Sequence, residues 1–424
     1  MTLGPLGTRG IVVLAVLVAA LGTGIYLLFL RGGDEAPVIE AGSRFGDAGD
    51  RSKGGTLLDT LAPVLSANQP NQRQGSDPAP PTADELGQAP GDAVAGLFIV
   101  GFRGTDSGSD FFERLGSRPY GGVLLTRSNY TQPAQLATLT RSIQKTAREA
   151  GNPAPLVVAQ QEGGEFSSFS NLAPDPQVDL GESRSRKVFA NALSAAKQLK
   201  ALGVTVTLAP NADLAVAGGP GQGRAFSDQV AVVTRAVRAS VGAYKSVGIV
   251  SAVGPFPGDG AASQDPASGP APVGLTIDQL RAADMKPFEA VAEGDSATPA
   301  MQMSNAIYSA FDSVTPATLL PEAYEELRER LGFDGAIISA DLTATTATSG
   351  GNVGEAAVQA LKAGADMLVV PGGRAQQDEA IREVVAAVRR REVPAERVVA
   401  ALRKIAKLRR LSRGARNAVD VPQR

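Results

Sequence analysis

The chain has 424 residues, 43% of them hydrophobic, with 41 Lys and Arg against 43 Asp and Glu. That supplies at least one large core, and a net charge of -2 leaves no strongly basic half, which argues against nucleic acid as the main partner. Cysteine, histidine and tryptophan are all absent, which removes disulfides, thiolate and imidazole chemistry, the commonest metal ligands and indole stacking on sugars, and leaves carboxylates, Lys, Tyr and Ser for any catalysis.

After a short tail, residues 1–10, the run from Ile11 to Leu30 holds 20 residues without a charge. As a helix it reaches about 30 Å, the thickness of a bilayer's hydrocarbon core, so it predicts a single transmembrane anchor. It is longer than the apolar stretch of a signal peptide and has no polar face of the kind a core helix shows. Arg9 precedes it alone, whereas Arg31, Arg44, Arg51 and Lys53 follow, opposite to a simple positive-inside count. Residues 31–92, rich in Gly, Pro, Asp, Gln and Ser, read as a flexible linker.

From Ala93 onward short apolar runs recur: Leu97 to Phe102, Gly121 to Thr126, Leu156 to Gln161, Val204 to Pro210, Ile249 to Pro255, Ala300 to Ser304, Gly335 to Leu342 and Asp366 to Pro371. Amphipathic stretches separate them, at Gln135 to Ala150, Ser185 to Leu202, Asp228 to Val247, Ile277 to Glu293, Pro316 to Leu331 and Gly354 to Ala363. Near-continuous apolar strands alternating with helices predict a parallel sheet covered on both faces. Eight such units fit an α/β fold of the (β/α)8 TIM barrel type, residues 93–413, followed by a tail, residues 414–424. Two more helices, Ala375 to Arg391 and Ala395 to Leu411, close the chain. The second carries Arg397, Arg403, Lys404, Lys407, Arg409 and Arg410, read as a solvated basic face or, alternatively, a contact for anionic lipid or wall polymer. No phosphate-binding or dinucleotide fingerprint occurs, and no cofactor or metal is expected.

In such a barrel the acting residues lie at the C-terminal ends of the strands and in the loops that follow. The third strand ends in Gln160, Gln161, Glu162, Gly163 and Gly164, and the fourth in Pro210, Asn211, Ala212 and Asp213, with Arg224 in its long loop. The fifth ends in Pro255 to Gly260 with Asp259 among them, and the seventh in Ser339, Ala340, Asp341 and Leu342.

These segments resemble the N-terminal domain of glycoside hydrolase family 3, in particular its bacterial β-N-acetylglucosaminidases of peptidoglycan recycling. The motifs are GGVLLT from Gly121, QQEGG from Gln160, LAPNADL from Leu208, GRAF from Gly223, FPGDG from Phe256, LGFDGAIISADL from Leu331 and LKAGADMLVVPG from Leu361. The resemblance implies a retaining hydrolysis in which one carboxylate attacks the anomeric carbon and an Asp-His pair protonates the leaving oxygen. The position matching the family's nucleophile is Ala340, and the triplet matching its general acid is Asp265, Pro266, Ala267, with Ala267 at the His position. The family's sugar-binding Asp is replaced by Gln160, its Lys-His pair by Gly254 and Pro255, a further His by Asp259 and the His of the sixth strand by Asn305. Glu162, Arg224 and Asp341 are the polar remnants, so Gln160, Glu162, Arg224 and Asn305 form the candidate ligand-binding set.

Replacement candidates follow from the residues themselves. Asp341 adjoins Ala340, but neighbouring strand residues face opposite ways, so it is expected to face the helices unless a bulge intervenes. Glu162 and Asp259 are a second possible carboxylate pair; otherwise Glu162 accepts backbone hydrogen bonds in its Gly-Gly turn and Asp259 is a solvated loop residue. Arg224 suits a bidentate grip on a ligand oxygen or, equally, a loop-bracing salt bridge. The main expectation is a membrane-tethered pseudoenzyme that binds a cell-wall glycan, a muropeptide fragment or an envelope protein, with its barrel outside the cytoplasmic membrane. The alternatives are a weak β-N-acetylglucosaminidase using the substitute carboxylates and a structural scaffold whose pocket is closed by Pro255 and the Gly-rich loops.

Overall fold

The computed structural model describes residues 79–414. The transmembrane segment read over Ile11 to Leu30, most of the linker and nearly all of the C-terminal tail lie outside the described residues. Among the described residues no helix is long and apolar enough to cross a membrane.

Eight parallel strands close into a barrel: β1 (Phe98–Gly101), β2 (Gly122–Leu125), β3 (Leu156–Ala159), β4 (Val206–Thr207), β5 (Val250–Phe256), β6 (Ala300–Met303), β7 (Ala336–Asp341) and β8 (Met367–Val370). Each pairs with its neighbour in chain order, and β8 closes on β1 through the register Phe98 to Leu368. Val, Leu, Ile and Ala dominate these strands because both faces are covered: the lumen side packs inward and the outer side meets the helical ring. A two-stranded parallel ribbon, Pro272–Val273 with Ile307–Tyr308, ties the loop after β5 to the segment after β6.

The helices Pro133–Glu149, Ser185–Ala201, Val230–Val247, Val353–Ala363 and Arg374–Arg389 lie where the amphipathic pattern puts them. Two expected helices are broken instead. Ile277 to Glu293 divides into Ile277–Ala282 and Lys286–Glu289, and Pro316 to Leu331 into a 3-10 turn, the helix Pro321–Glu325 and a π-helical turn at Glu326–Arg330. Pro287 and Pro321 have no N–H to donate to the carbonyls four residues before them, so neither helix runs through. Within the barrel two helices are additional, Phe111–Ser117 after β1 and Leu342–Ser349 after β7.

The linker ends earlier than residue 92. Helices Ala83–Gln88 and Pro90–Ala95 precede β1, the first started by a capping box between Thr82 and Glu85, and they bury Leu86 and Val94. A hydrophilic composition hid one T-x-x-E signal and one leucine in the core.

The last helix, Ala395–Gly414, does not present its basic residues simply to solvent. Arg397 reaches back to the carbonyls of Leu361 (3.1 Å) and Gly364 (2.9 Å) and pairs with Asp366 at 3.0 Å, while Lys404 and Lys407 pair with Asp334. Asp366, almost fully buried before β8, also accepts from Arg328 at 2.7 Å and from the Ile337 amide at 2.9 Å. This cluster fastens the last helix to the outer side of β7 and β8.

Candidate functional site

A cavity of about 570 Å³ opens at the C-terminal ends of the strands, and the candidate catalytic and ligand-binding residues line it: Gln160, Glu162, Arg224, Asp259, Asp265, Ala267, Asn305, Ala340 and Asp341, whereas Gln161, Asn211 and Asp213 do not. Pro255 stands in its wall without filling it. The closed pocket that a purely structural scaffold would have is therefore not what the fold provides.

Beyond the C-terminal ends of β3 and β4 lies one polar network. Arg224 donates from Nε to Glu162 Oε2 and from a terminal nitrogen to Glu162 Oε1, both at 2.6 Å, and Gln160 Nε2 donates to Oε1 at 2.9 Å. The Arg224 guanidinium carbon lies over the Phe166 ring, 5.3 Å from its centroid. Glu162 therefore does not serve its turn as a backbone acceptor; its carboxylate belongs to Arg224, and the loop-bracing role of Arg224 is the one the geometry contains. Burial works against the charge on Arg224, but the attraction and hydrogen bonds of Glu162, with Asp213 and Asp259 adding, hold its pKa above the ordinary value.

The turn that carries Glu162 depends on glycine. Gly163 has φ of 113°, and a Cβ there would run into the carbonyl of Asp175. The QQEGG segment is thus a sharp bend, running into a 3-10 turn at Gly164–Phe166, that leaves the Glu162 carboxylate on Arg224 of the β4 loop.

Asp259 is not a solvated loop residue. It is 6% exposed, its carboxylate accepts from Ser304 Oγ and from Tyr308 Oη at 2.9 Å, and its amide donates to Asp213 Oδ1 at 2.6 Å. The ribbon that brings Tyr308 over FPGDG covers the loop, which its glycines and charge had suggested was open. Asp213, also buried, accepts in addition from Asn211 Nδ2 at 2.8 Å. Burial pushes Asp213 up to about 6 against the pull of Arg224, and burial together with Asp213 pushes Asp259 up to about 7. Asp284 beneath Gly258 is raised to about 6, again by burial first and Asp213 second. Asp213, Asp284, Ser304 and Tyr308 were not among the sequence candidates; only Asp213, inside LAPNADL, carried a visible signal.

At the seventh strand Ala340 presents a methyl group to the cavity, and its amide donates to Thr318 Oγ1 at 3.0 Å. Asp341 caps the helix Leu342–Ser349, accepting at Oδ1 from the amides of Thr343 (2.8 Å) and Ala344 (3.3 Å) and from the Thr343 hydroxyl. The β7–β8 register shifts between Ile338 and Asp341, so a bulge brings both Ala340 and Asp341 to the cavity wall, against the expected simple alternation. Asn305 bridges the same corner, donating to the Asp341 carbonyl at 3.2 Å and accepting from Thr345 Oγ1 at 2.6 Å. Across the opening, Asp265 forms a turn with the Ala267 amide at 2.9 Å, and both are exposed. Among the described residues no group of His, Cys, Asp or Glu is arranged to hold a metal ion.

A closed eight-stranded parallel barrel with its polar groups at the strand C-termini is a (β/α)8 TIM barrel, a fold that carries its sites at that end. The Glycosyl hydrolase family 3 N terminal domain matches residues 105–408, and the chain belongs to that family. It is 31% identical over 294 residues to a protein named Beta-hexosaminidase of Xanthomonas campestris pv. campestris, covering 65% of this chain and 84% of that one. A Beta-hexosaminidase of Bordetella pertussis is 32% identical over 292 residues, covering 65% and 80%. Among solved structures, a family 3 β-N-acetylglucosaminidase from Paenibacillus superposes with a TM-score of 0.72 at 26% identity, over 79% of this chain and 64% of that one. A family 3 member from Mycobacterium smegmatis gives 0.67 at 25% identity, over 75% and 96%.

Proposed function

We propose that this chain is a family 3 barrel that keeps a saccharide pocket without turnover, binding a cell-wall glycan or muropeptide fragment, or an envelope protein that presents one. The observation that carries this reading is the methyl group of Ala340 in the cavity wall, where the resemblance to the family calls for an attacking carboxylate. The neighbouring carboxylates are engaged: Glu162 with Arg224, Asp341 with a helix N-terminus, Asp259 with Ser304 and Tyr308. Without an attacking group and a matched proton donor, most of the roughly 8 to 23 kcal/mol by which enzymes lower their barriers is out of reach. The run from Ile11 to Leu30 would tether the barrel to the cytoplasmic membrane, with the linker giving it reach toward the wall outside. The relatives named Beta-hexosaminidase support a sugar ligand, and the methyl group at Ala340 supports binding without cleavage.

A second reading, slow hydrolysis, has one observation in its favour: burial and Asp213 raise Asp259 to about 7, so this residue carries a proton near neutral pH as a general acid does. Calorimetric titration of the full chain with amino-sugar and muropeptide fragments, beside a long hydrolysis assay, separates the two. Saturable heats without product support the pocket reading; product that vanishes on Asp259→Asn supports hydrolysis.

A further inference from the structure

The charge around the cavity is one-sided once its internal pairs are set aside. Of the two arginines in the wall, Arg224 is held bidentately by Glu162, and Arg127 directs Nε to the Ser167 carbonyl at 3.1 Å and a terminal nitrogen to the Glu165 carbonyl. No lysine lines the cavity.

The carboxylates, by contrast, have acceptor capacity left. Both side-chain donors to Asp259 reach Oδ1, and all three donors to Asp341 reach Oδ1, so the Oδ2 atom of each has no donor among the described residues. Both residues line the same cavity, and consecutive residues after β6 touch them: Ser304 donates to the Asp259 carboxylate and Asn305 to the Asp341 backbone carbonyl. Asp259 is more than nine-tenths buried yet lines the cavity. Burial raises the pKa of both groups; among the described residues no cation is hydrogen-bonded to either carboxylate, and Arg224 acts on Asp259 only at longer range. Glu165 and Asp265, exposed at the rim, extend the same sign outward.

An N-acetyl group brings a carbonyl that needs a donor; an ammonium brings three donors and a positive charge. We infer that the cavity selects a saccharide with a free, protonated amino group over its N-acetylated counterpart, with Asp259 and Asp341 receiving the ammonium. This rests on the reading that the cavity holds a saccharide.

The test is calorimetric titration of the full chain at pH 7.5, where Asp259 is mainly ionised, with methyl β-glucosaminide, methyl N-acetyl-β-glucosaminide and methyl β-glucoside. The aminoglycoside is expected to bind about tenfold or more tightly than the other two, the scale of one charge-assisted hydrogen bond, with the advantage shrinking at high salt. In the double variant Asp259→Asn, Asp341→Asn the ratio of aminoglycoside to methyl β-glucoside affinity should fall to about one; asparagine still caps a helix, which keeps the Leu342–Ser349 start intact. Equal or tighter binding of the N-acetyl sugar by the unmodified chain overturns the inference and leaves the saccharide pocket standing. A preference that survives the double variant also overturns it. Binding of none of the three sugars removes the pocket reading and the inference together.

Discussion

Arg224 and Glu162, 62 positions apart, meet through two parallel hydrogen bonds of 2.6 Å at the floor of the cavity, with Glu162 only 4% exposed. A pair of this geometry ties the β3 turn to the β4 loop, and breaking it strands a charge in a place that water reaches poorly. Glu162→Gln is therefore expected to lower stability by about 3 kcal/mol, the usual scale for removing one partner of a buried ion pair. Urea unfolding followed by circular dichroism measures it; a loss under about 0.5 kcal/mol would assign the pair no structural weight.

The acid pair Asp213 and Asp259 sets the pH dependence. In the unfolded chain an Asp titrates near 3.9, whereas in the fold these two sit at about 6 and about 7, with Asp284 at about 6. The folded state thus binds more protons than the unfolded one across that interval, so their contribution is fully present below about pH 4 and is lost as pH rises through 6 and 7. Thermal melts between pH 5 and pH 8 should show the midpoint falling, and Asp259→Asn should flatten the slope. A midpoint that rises over this range would contradict the assignment.

Asp366 provides the comparison away from the cavity. It accepts from Arg328, Arg397 and the Ile337 amide, so Asp366→Asn leaves two guanidinium groups without their carboxylate and should cost about 3 kcal/mol. Ligand heats measured at a temperature where the variant is folded should match those of the unmodified chain.

Asp341 should behave as a cap. Asp341→Ala is expected to cost about 1 kcal/mol and Asp341→Asn almost nothing, because either amide or carboxylate oxygen meets the free amides of the first turn. Chemical unfolding of the two variants tests this; equal losses would mean that the charge, not the cap, matters.

The barrel was legible because parallel strands covered on both faces read as short apolar runs; seven fall inside the predicted segments and the fifth overruns its segment by one residue, Phe256. Placing strand ends then placed the residues that line the cavity. What could not be read was pairing across the chain. Arg224 with Glu162, and Asp259 with Asp213, Ser304 and Tyr308, join different βα units, and no spacing in the chain encodes them. Asp259 was misjudged because FPGDG, flanked by loop residues, carries no apolar signal of burial; its cover comes from Tyr308, nearly fifty positions later. The two broken helices were overrun because apolar periodicity outweighed Pro287 and Pro321, each of which lacks the donor that a continuous helix requires. Asp341 reached the cavity wall because a bulge in β7 breaks the alternation on which its outward placement was based.

The claim at the centre is that this barrel does not turn over a glycoside, because a methyl group stands at Ala340. The direct measurement is hydrolysis of an aryl N-acetyl-β-glucosaminide and of an aryl β-glucosaminide by the purified full chain over a day at several pH values. The account predicts release at the rate of buffer alone. Release above that rate, abolished by Asp259→Asn or Glu162→Gln in protein that still folds, would contradict it.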